Sequence, residues 1–284
     1  LVLVFHRITS DDCAPQCLMP SVPESLFRRQ IELLGEIGEI VALEALLAPA
    51  PANRHRPRFA VTFDDDLVTH YERALPILRD VGVTATFFLS GRSLHGLGPL
   101  WFAKLDGLVA AHGLQTTAHL LGLDAKDCSQ LAAMSENDRV LQHRIDELPH
   151  EDIPQITGVQ IRALVDAGMT IGFHTLEHHL VSLLSDSELD SALTQGRREL
   201  EAVVGRPLRL FAYPHGKPDS RTPGRLRAAG FHAACTGRPV PVRPGDDPYL
   251  LGRWEPGPIA LDRFVVSLAV RLNGWSRRQS GAMS

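Results

Sequence analysis

The sequence predicts an α/β fold, a distorted (β/α) barrel of the TIM type, and three observations carry that prediction. Short apolar runs alternate with amphipathic stretches along most of the 284 residues, the pattern of strands each followed by a helix. One run, Val83-Thr84-Ala85-Thr86-Phe87-Phe88-Leu89, is apolar almost throughout, as a parallel strand covered on both faces must be. Two polar clusters, Asp64-Asp65-Asp66 and His174 to His178, directly follow such runs, and the C-terminal ends of parallel strands are where these folds gather their chemistry.

Taken in order, Leu1 to Phe5 is a short β-type run, followed by a loop containing Pro and Cys. A helix begins near Pro23-Glu24 and runs toward Gly38, with Leu26, Phe27, Ile31, Leu34 and Ile37 on one face. Arg58 to Phe63 is the next strand; Tyr71 to Asp80 is a helix with Ala74, Leu75 and Leu78 inward; Val83 to Leu89 completes a βαβ unit. Between Gly91 and Thr157 no strand signal of comparable strength occurs, and Trp101 to Ala111, Asp127 to Met134 and Glu136 to Ile145 all read as helical, so this stretch is expected to be a helical insertion. Alternation resumes with Gln160 to Ala167 (helix), Met169 to Phe173 (strand), Asp186 to Val204 (helix), Leu208 to Ala212 (strand), Arg221 to Ala229 (helix) and His232 to Thr236 (strand). A last strand near Leu250 to Arg253 precedes a helix from Asp262 to Leu272. The expectation is one domain over 1–284, interrupted at about 91–157, with roughly seven strands.

Composition narrows the function classes. The hydrophobic content of 44% is ample for a core, and a net charge of −4, from 29 basic and 33 acidic residues, gives no basic surface for nucleic acid. No apolar run reaches the ~18 residues of a membrane span. Cys13, Cys17, Cys128 and Cys235 are too few for a disulfide framework, although Cys13 and Cys17 could close one small loop; a zinc site there lacks a second ligand pair. Read as free thiols, they favour the cytoplasm, whereas a leader removed upstream of Leu1 would make the protein exported. Localisation and oligomeric state stay open.

The two polar clusters together describe a metal site with a base beside it. A strand ending in adjacent carboxylates can aim one at a cation and the other at whatever the cation activates, and His174 and His178, four apart, would share a face of one helical turn. Two imidazoles and one carboxylate leave positions open for water and substrate, as hydrolytic metals require. Singly, an Asp run is usually a solvated turn and such a His pair an exposed helix face; their pairing at two strand ends favours chemistry.

Three ordered motifs carry a family resemblance. Thr62-Phe63-Asp64-Asp65, followed by Tyr71, Ala74, Pro76, Leu78, Gly82 and Ala85-Thr86-Phe87-Phe88, resembles the opening motif of the polysaccharide deacetylases, the NodB-like group also called carbohydrate esterase family 4. Ile171-Gly172-Phe173-His174-Thr175 to His178 resembles its second motif, and Phe211-Ala212-Tyr213-Pro214-His215-Gly216 with Ala229-Gly230-Phe231 its third. The similarity runs from about Leu1 to Thr236. It implies a NodB-homology barrel in which a divalent metal, usually zinc, serves removal of an N- or O-acetyl group from a sugar. Carried over, Asp65, His174 and His178 would be the ligands, Asp64 the general base, and His215 the residue whose backbone N–H steadies the oxyanion. Tyr213 of the third motif, with Arg253 and Trp254 on the last strand, would meet the substrate.

Three departures qualify the carry-over. Asp66 stands where the family usually has Gly, which suggests a positive φ at that position and extra negative charge in the site. The family's third-motif Arg aligns with Ala212, leaving Asp64 without its usual orienting partner; Arg253 is the candidate substitute. The C-terminal Leu-x-His motif, source of the usual general acid, is missing, since Leu272-Asn273-Gly274 has no His. Phe5-His6-Arg7-Ile8, however, resembles the Tyr-His-x-Ile opening of a subgroup that includes exopolysaccharide deacetylases, in which the acid His comes from the first strand. First and last strands are neighbours in a closed barrel, so His6 is the expected acid. His179 is a second candidate ligand, disfavoured by its spacing from His174, and Trp101-Phe102 is either a sugar platform or core.

The leading expectation is therefore a metal-dependent hydrolase that deacetylates an amino sugar or polysaccharide. A second reading keeps the metal but takes an amide or formamide of a small molecule, in a pocket shaped by the insertion. A third is a catalytically dead carbohydrate-binding protein, suggested by Asp66, Ala212 and the missing Leu-x-His.

Overall fold

The computed structural model describes residues 1–12, 18–48, 56–136, 138–148 and 153–279. Its strands in chain order are β1 (Val2–Phe5), β2 (Arg7–Thr9), β3 (Ser21–Pro23), β4 (Glu39–Ile40), β5 (Arg58–Asp64), β6 (Thr86–Leu89), β7 (Thr170–Phe173), β8 (Leu210–Ala212), β9 (Ala233–Cys235) and β10 (Arg253–Trp254). Seven of them form a parallel sheet in the order β10-β1-β5-β6-β7-β8-β9, with β4 added on β5. A parallel bridge from Cys235 to Leu251, with Thr236 N–H donating to Leu251 O at 2.7 Å, brings the two ends of that order together, so the sheet is a nearly closed barrel. The expected distorted (β/α) barrel is what forms.

Alternation along each strand sorts the side chains. Leu3, Phe5, Val61, Phe63, Phe87 and Phe173 pack outward with the surrounding helices in the main core. Residues of opposite parity, among them Val2, Ala60, Phe88, Leu210, Ala212 and Cys235, form a second, smaller cluster that fills the barrel interior. Gly172 belongs to this inner set because Phe88 occupies its side-chain space: a Cβ there would lie 2.4 Å from the Phe88 ring. Thr62 and Asp64 share the inward parity of Ala60, so β5 delivers its terminal carboxylate to the barrel mouth. The register, with Phe5 opposite Phe63 and Val2 opposite both Ala60 and Arg253, brings the ends of β1, β5 and β10 to one rim.

Several elements differ from the sequence reading for local reasons. The stretch Asp186 to Val204 is two helices, Asp186–Ala192 and Arg197–Val204, because Gly196 takes a left-handed φ of 80° between them. The Tyr71 to Asp80 helix opens with a π-type turn at His70–Ala74 before the α-helix Leu75–Val81. The final helix is longer than expected, Leu261–Gln279, and β10 begins only at Arg253. The short strands β2, β3 and β4 and the helix Leu43–Leu47 give too little periodicity to read. The 91–157 stretch is helical as expected, with helices Trp101–His112, Leu114–Leu120, Cys128–Glu136 and Arg139–Glu147 around a core of their own that includes Leu105, Leu121, Leu131, Leu141 and Ile145. Cys128, read from the sequence as a free thiol, is disulfide-bonded, while Cys235 is free and buried; Cys13 and Cys17 lie outside the described residues. Among the described residues no helix is long and apolar enough to cross a membrane.

Candidate metal centre and active site

Asp65, at the end of β5, and His174 and His178, after β7, converge. Asp65 Oδ1 lies 3.8 Å from His174 Nε2 and 3.7 Å from His178 Nε2, and the two Nε2 atoms are 3.1 Å apart. Ligands about 2.0–2.2 Å from a tetrahedral zinc are separated by about 3.3 Å, so one cation could touch all three. The histidines do not lie on a helical turn, as their spacing suggested. They sit in an irregular loop in which Thr175 (φ 61°) and His178 (φ 51°) are left-handed. Asp65 (φ 74°) and His215 (φ 56°) are left-handed too, so every described non-glycine residue with positive φ falls in the loops around this cluster. Such backbone persists only where surrounding contacts enforce it.

The chemistry of the trio fits a cation. His174 Nδ1–H donates to Ala212 O at 2.8 Å, which fixes the ring and leaves Nε2 as a lone pair. Burial pushes the pKa of both His174 and His178 down, keeping them neutral. Burial pushes Asp65 up to about 7, with Asp64 and Asp66 adding to the rise and His6 and Arg253 opposing it. Asp65 Oδ1 is buried and has no hydrogen-bond partner among the described residues. A desolvated, unpartnered carboxylate oxygen facing two neutral imidazoles is a donor set short of a positive charge.

Asp64, its neighbour, is held in the opposite state. Arg253 grips it with two parallel bonds, Nη1 to Oδ1 at 2.6 Å and Nη2 to Oδ2 at 2.7 Å, while its Nε–H donates to Thr236 O at 3.2 Å. Burial would raise the Asp64 pKa, but Arg253 outweighs it and brings it to about 2. Arg253 thus fills from β10 the place that Ala212 leaves empty on β8. Its donors are turned to Asp64 and the barrel wall, which places it to orient the carboxylate, and it also lines the cavity.

Asp66 is no part of the cluster. Its carboxylate accepts from Ser90 N–H (2.7 Å), Ser90 Oγ–H (2.8 Å) and Arg92 N–H (2.9 Å), pinning the turn after β6. The positive φ expected at Asp66 falls one residue earlier, at Asp65.

His6 reaches the same cavity from the end of β1. Its Nδ1 lies 2.8 Å from Glu255 Oε1, an ion pair when His6 is protonated. Burial lowers the His6 pKa, but Glu255, Asp65 and Asp64 together lift it to about 9. Glu255 was not singled out in the sequence. Its signal was position: it lies two residues beyond Arg253, at the end of the strand that pairs with β1.

His215 follows β8 in a tight turn closed by Gly216 N–H on Tyr213 O (2.8 Å), which leaves the His215 N–H out of that bond. Its ring packs on His178 and Trp101, Nε2–H donates to His178 O (3.2 Å), and burial brings its pKa down to about 4. Tyr213 and Trp254, expected to meet the substrate, do not. Tyr213 is fully buried, with its hydroxyl on Tyr249 O (3.0 Å), and Trp254 stacks on Phe264 in the outer core. Trp101 and Phe102 do line the cavity, and Phe102 packs edge-on against His178 at 5.0 Å. His179 turns away into a separate cleft beside Arg139 and Glu188, which leaves His178 as the ligand candidate.

Comparisons with known proteins bear on the family and the fold. A family model described as polysaccharide deacetylase matches residues 52–99 and 96–234, more than half of the chain; His6, Arg253 and Glu255 lie outside that span. A sequence search of the curated proteins finds no match. Among solved structures the chain is similar to Streptococcus pyogenes deacetylase PplD in complex with acetate, at 16% identity and a TM-score of 0.60, covering 90% of this chain and 92% of that one. It is similar to IcaB from Ammonifex degensii at 21% identity and a TM-score of 0.60, covering 92% of each. It is also similar to a de-N-acetylase from Aggregatibacter actinomycetemcomitans at 16% identity and a TM-score of 0.59, covering 89% and 92%. At these identities the likeness establishes the fold.

Proposed function

We propose, from the premise that this chain belongs to the polysaccharide deacetylase family, that it hydrolyses the N-acetyl group of an amino sugar with Asp64 as general base and His6 as general acid beside a zinc ion. The chain is a hydrolase of acetylated carbohydrate; the roles given to single residues are our reading. The observation that carries it is the contrast between adjacent carboxylates: Arg253 keeps Asp64 ionised, while Asp65 is buried, unpartnered and aimed at two neutral imidazoles.

Asp65, His174 and His178 would hold the cation. When bound, it supplies Lewis acidity, lowering the pKa of water and polarising the acetyl carbonyl. Asp64, fixed by Arg253, accepts the proton of the attacking water. The His215 N–H donates to the oxyanion that forms. His6, kept protonated by Glu255, gives its proton to the departing amine, which cannot leave as an anion at neutral pH.

The reading as a dead binding protein loses its grounds, because each departure that motivated it has a compensating residue. Arg253 holds Asp64 as the missing third-motif Arg would, the Asp66 carboxylate is bonded to Ser90 and Arg92, and His6 lines the same cavity. The test is metal content measured together with acetate release from N-acetylated sugars. His174→Ala should lose both, since two protein ligands rarely retain zinc; full metal occupancy in that variant would refute the ligand assignment.

A further inference from the structure

We propose that Asp66 and Arg92 are positioning residues which set how tightly Asp65, His174 and His178 hold the cation, by locking the two loops that carry those ligands onto one turn. This rests on the ligand assignment above and adds what fixes the ligands in place.

The three ligands come from two irregular loops, one after β5 and one after β7, with left-handed backbone at Asp65, Thr175 and His178. Neither helix nor sheet holds the ligands there, so side-chain and backbone contacts from elsewhere must enforce the conformation. Both loops meet the turn Ser90-Gly91-Arg92, which follows β6, the strand between β5 and β7.

Asp66 fastens the first loop. Its buried carboxylate, one residue after Asp65, takes the N–H groups of Ser90 and Arg92, on either side of Gly91, together with the Ser90 hydroxyl. The turn can converge on a carboxylate in this way because Gly91 has a φ of 81°, and a Cβ there would also lie 2.9 Å from the Leu200 side chain. The Asp66 main chain is held from the same side: its carbonyl accepts from Ile156 N–H (2.9 Å), and Ser93 Oγ–H donates to Ile156 O (2.6 Å).

Arg92 fastens the second. Its Nη1 donates to Leu176 O (3.3 Å) and to Glu177 Oε2 (2.7 Å), the two residues that lie just before His178, while its Nε–H on Gly98 O (2.8 Å) steadies the guanidinium. At the start of the same loop, His174 N–H donates to Leu89 O (3.0 Å), the residue before Ser90. The backbone N–H that Asp66 holds therefore belongs to the residue whose side chain holds the histidine loop. Ligands ordered before the cation arrives need not be ordered by it, and partners that orient metal ligands are typically worth about 10- to 100-fold in affinity.

The experiment titrates zinc into the metal-free full chain against a competing chelator, for the wild type, Asp66→Asn and Arg92→Gln, with urea unfolding of each metal-free form to fix conditions in which it is folded. Asn keeps the size of Asp66 but turns an amide NH₂ toward backbone donors. Gln leaves the turn and Asp66 in place and removes the guanidinium's hold on the histidine loop; its former partner Glu177 is 45% exposed, so no buried charge is stranded and this variant folds even if Asp66→Asn does not. The zinc Kd should rise by about 10- to 100-fold in each. A merely structural role would lower the urea midpoint and leave the Kd of the folded protein unmoved, so wild-type zinc affinity in either folded variant would overturn this inference while the ligand assignment stands. A wild-type protein that binds no zinc would overturn both.

Discussion

Replacing Arg253 by Met keeps most of the side-chain volume and removes the guanidinium that grips Asp64, so it isolates what that pair contributes. Two routes give its size. The drop of the Asp64 pKa from 3.8 to about 2 corresponds to roughly 2 kcal/mol of stability at neutral pH, at about 1.4 kcal/mol for each tenfold change. Stranding a buried carboxylate by deleting its partner costs about 3–5 kcal/mol. A loss of about 2–5 kcal/mol is therefore expected, measured by urea unfolding at pH 7 of metal-free protein. Because the folded pKa is depressed, this stabilisation is present above about pH 4 and disappears as the pH falls toward 2. The wild type and Arg253→Met should thus converge in stability on acidification. The same substitution lets burial raise the Asp64 pKa, so the acid limb of the kcat/KM profile should move to higher pH. Arg253→Met combined with Asp64→Asn should recover much of the lost stability, since a neutral amide leaves no uncompensated charge. A single Arg253→Met variant within about 0.5 kcal/mol of wild type, with an unmoved acid limb, would refute the orienting role.

Asp64→Asn should retain its metal and lose turnover by a factor of about 10² to 10⁴, because the amide cannot take the proton from water; metal loss, read by elemental analysis, would instead make Asp64 a ligand. His6→Ala should keep the metal and lose most amide hydrolysis while sparing an activated aryl acetate, whose leaving group needs no proton. Equal losses on both substrates would give His6 a structural role. Glu255→Gln should move the alkaline limb of kcat/KM to lower pH: the His6 pKa, raised to about 9 in part by Glu255, keeps the acid protonated until the pH passes that value. An alkaline limb that stays in place would separate Glu255 from the proton on His6.

The barrel and the convergence of Asp65, His174 and His178 were legible because they rest on local patterns. Apolar runs such as Val83 to Leu89 mark parallel strands whatever their partners, and Asp65, His174 and His178 lie within a few residues of strand ends. What failed were inferences about conformation and long-range partners. The four-residue spacing of His174 and His178 imitates a helical turn, yet the loop reaches the same convergence through left-handed backbone at Thr175 and His178. Asp66 read as surplus charge because its donors, Ser90 and Arg92, lie more than twenty residues away. Tyr213 and Trp254 adjoin functional residues in sequence, but period-two alternation turns neighbours to opposite faces of a strand, and both enter the outer core. Arg253 could be nominated because its strand closes the barrel; Glu255 escaped because position alone, two residues beyond Arg253, marks it.

The closure of the barrel divides the work of the site. Arg253 and Glu255 at the end of β10, His6 at the end of β1, and Asp64 at the end of β5 belong to three adjacent strands in fixed register. The proposed base and acid and the groups that hold their charge states therefore share one seam. The histidines that would bind the cation come from the loop after β7, and the proposed oxyanion donor from the turn after β8. A general acid supplied from the chain's N-terminal strand can then do the work of one supplied near the C-terminus, because closure brings those distant stretches of sequence to the same rim. The bidentate Arg253–Asp64 pair spans that seam, across β1, so a substitution there perturbs the base and the junction between the last strand and the first together.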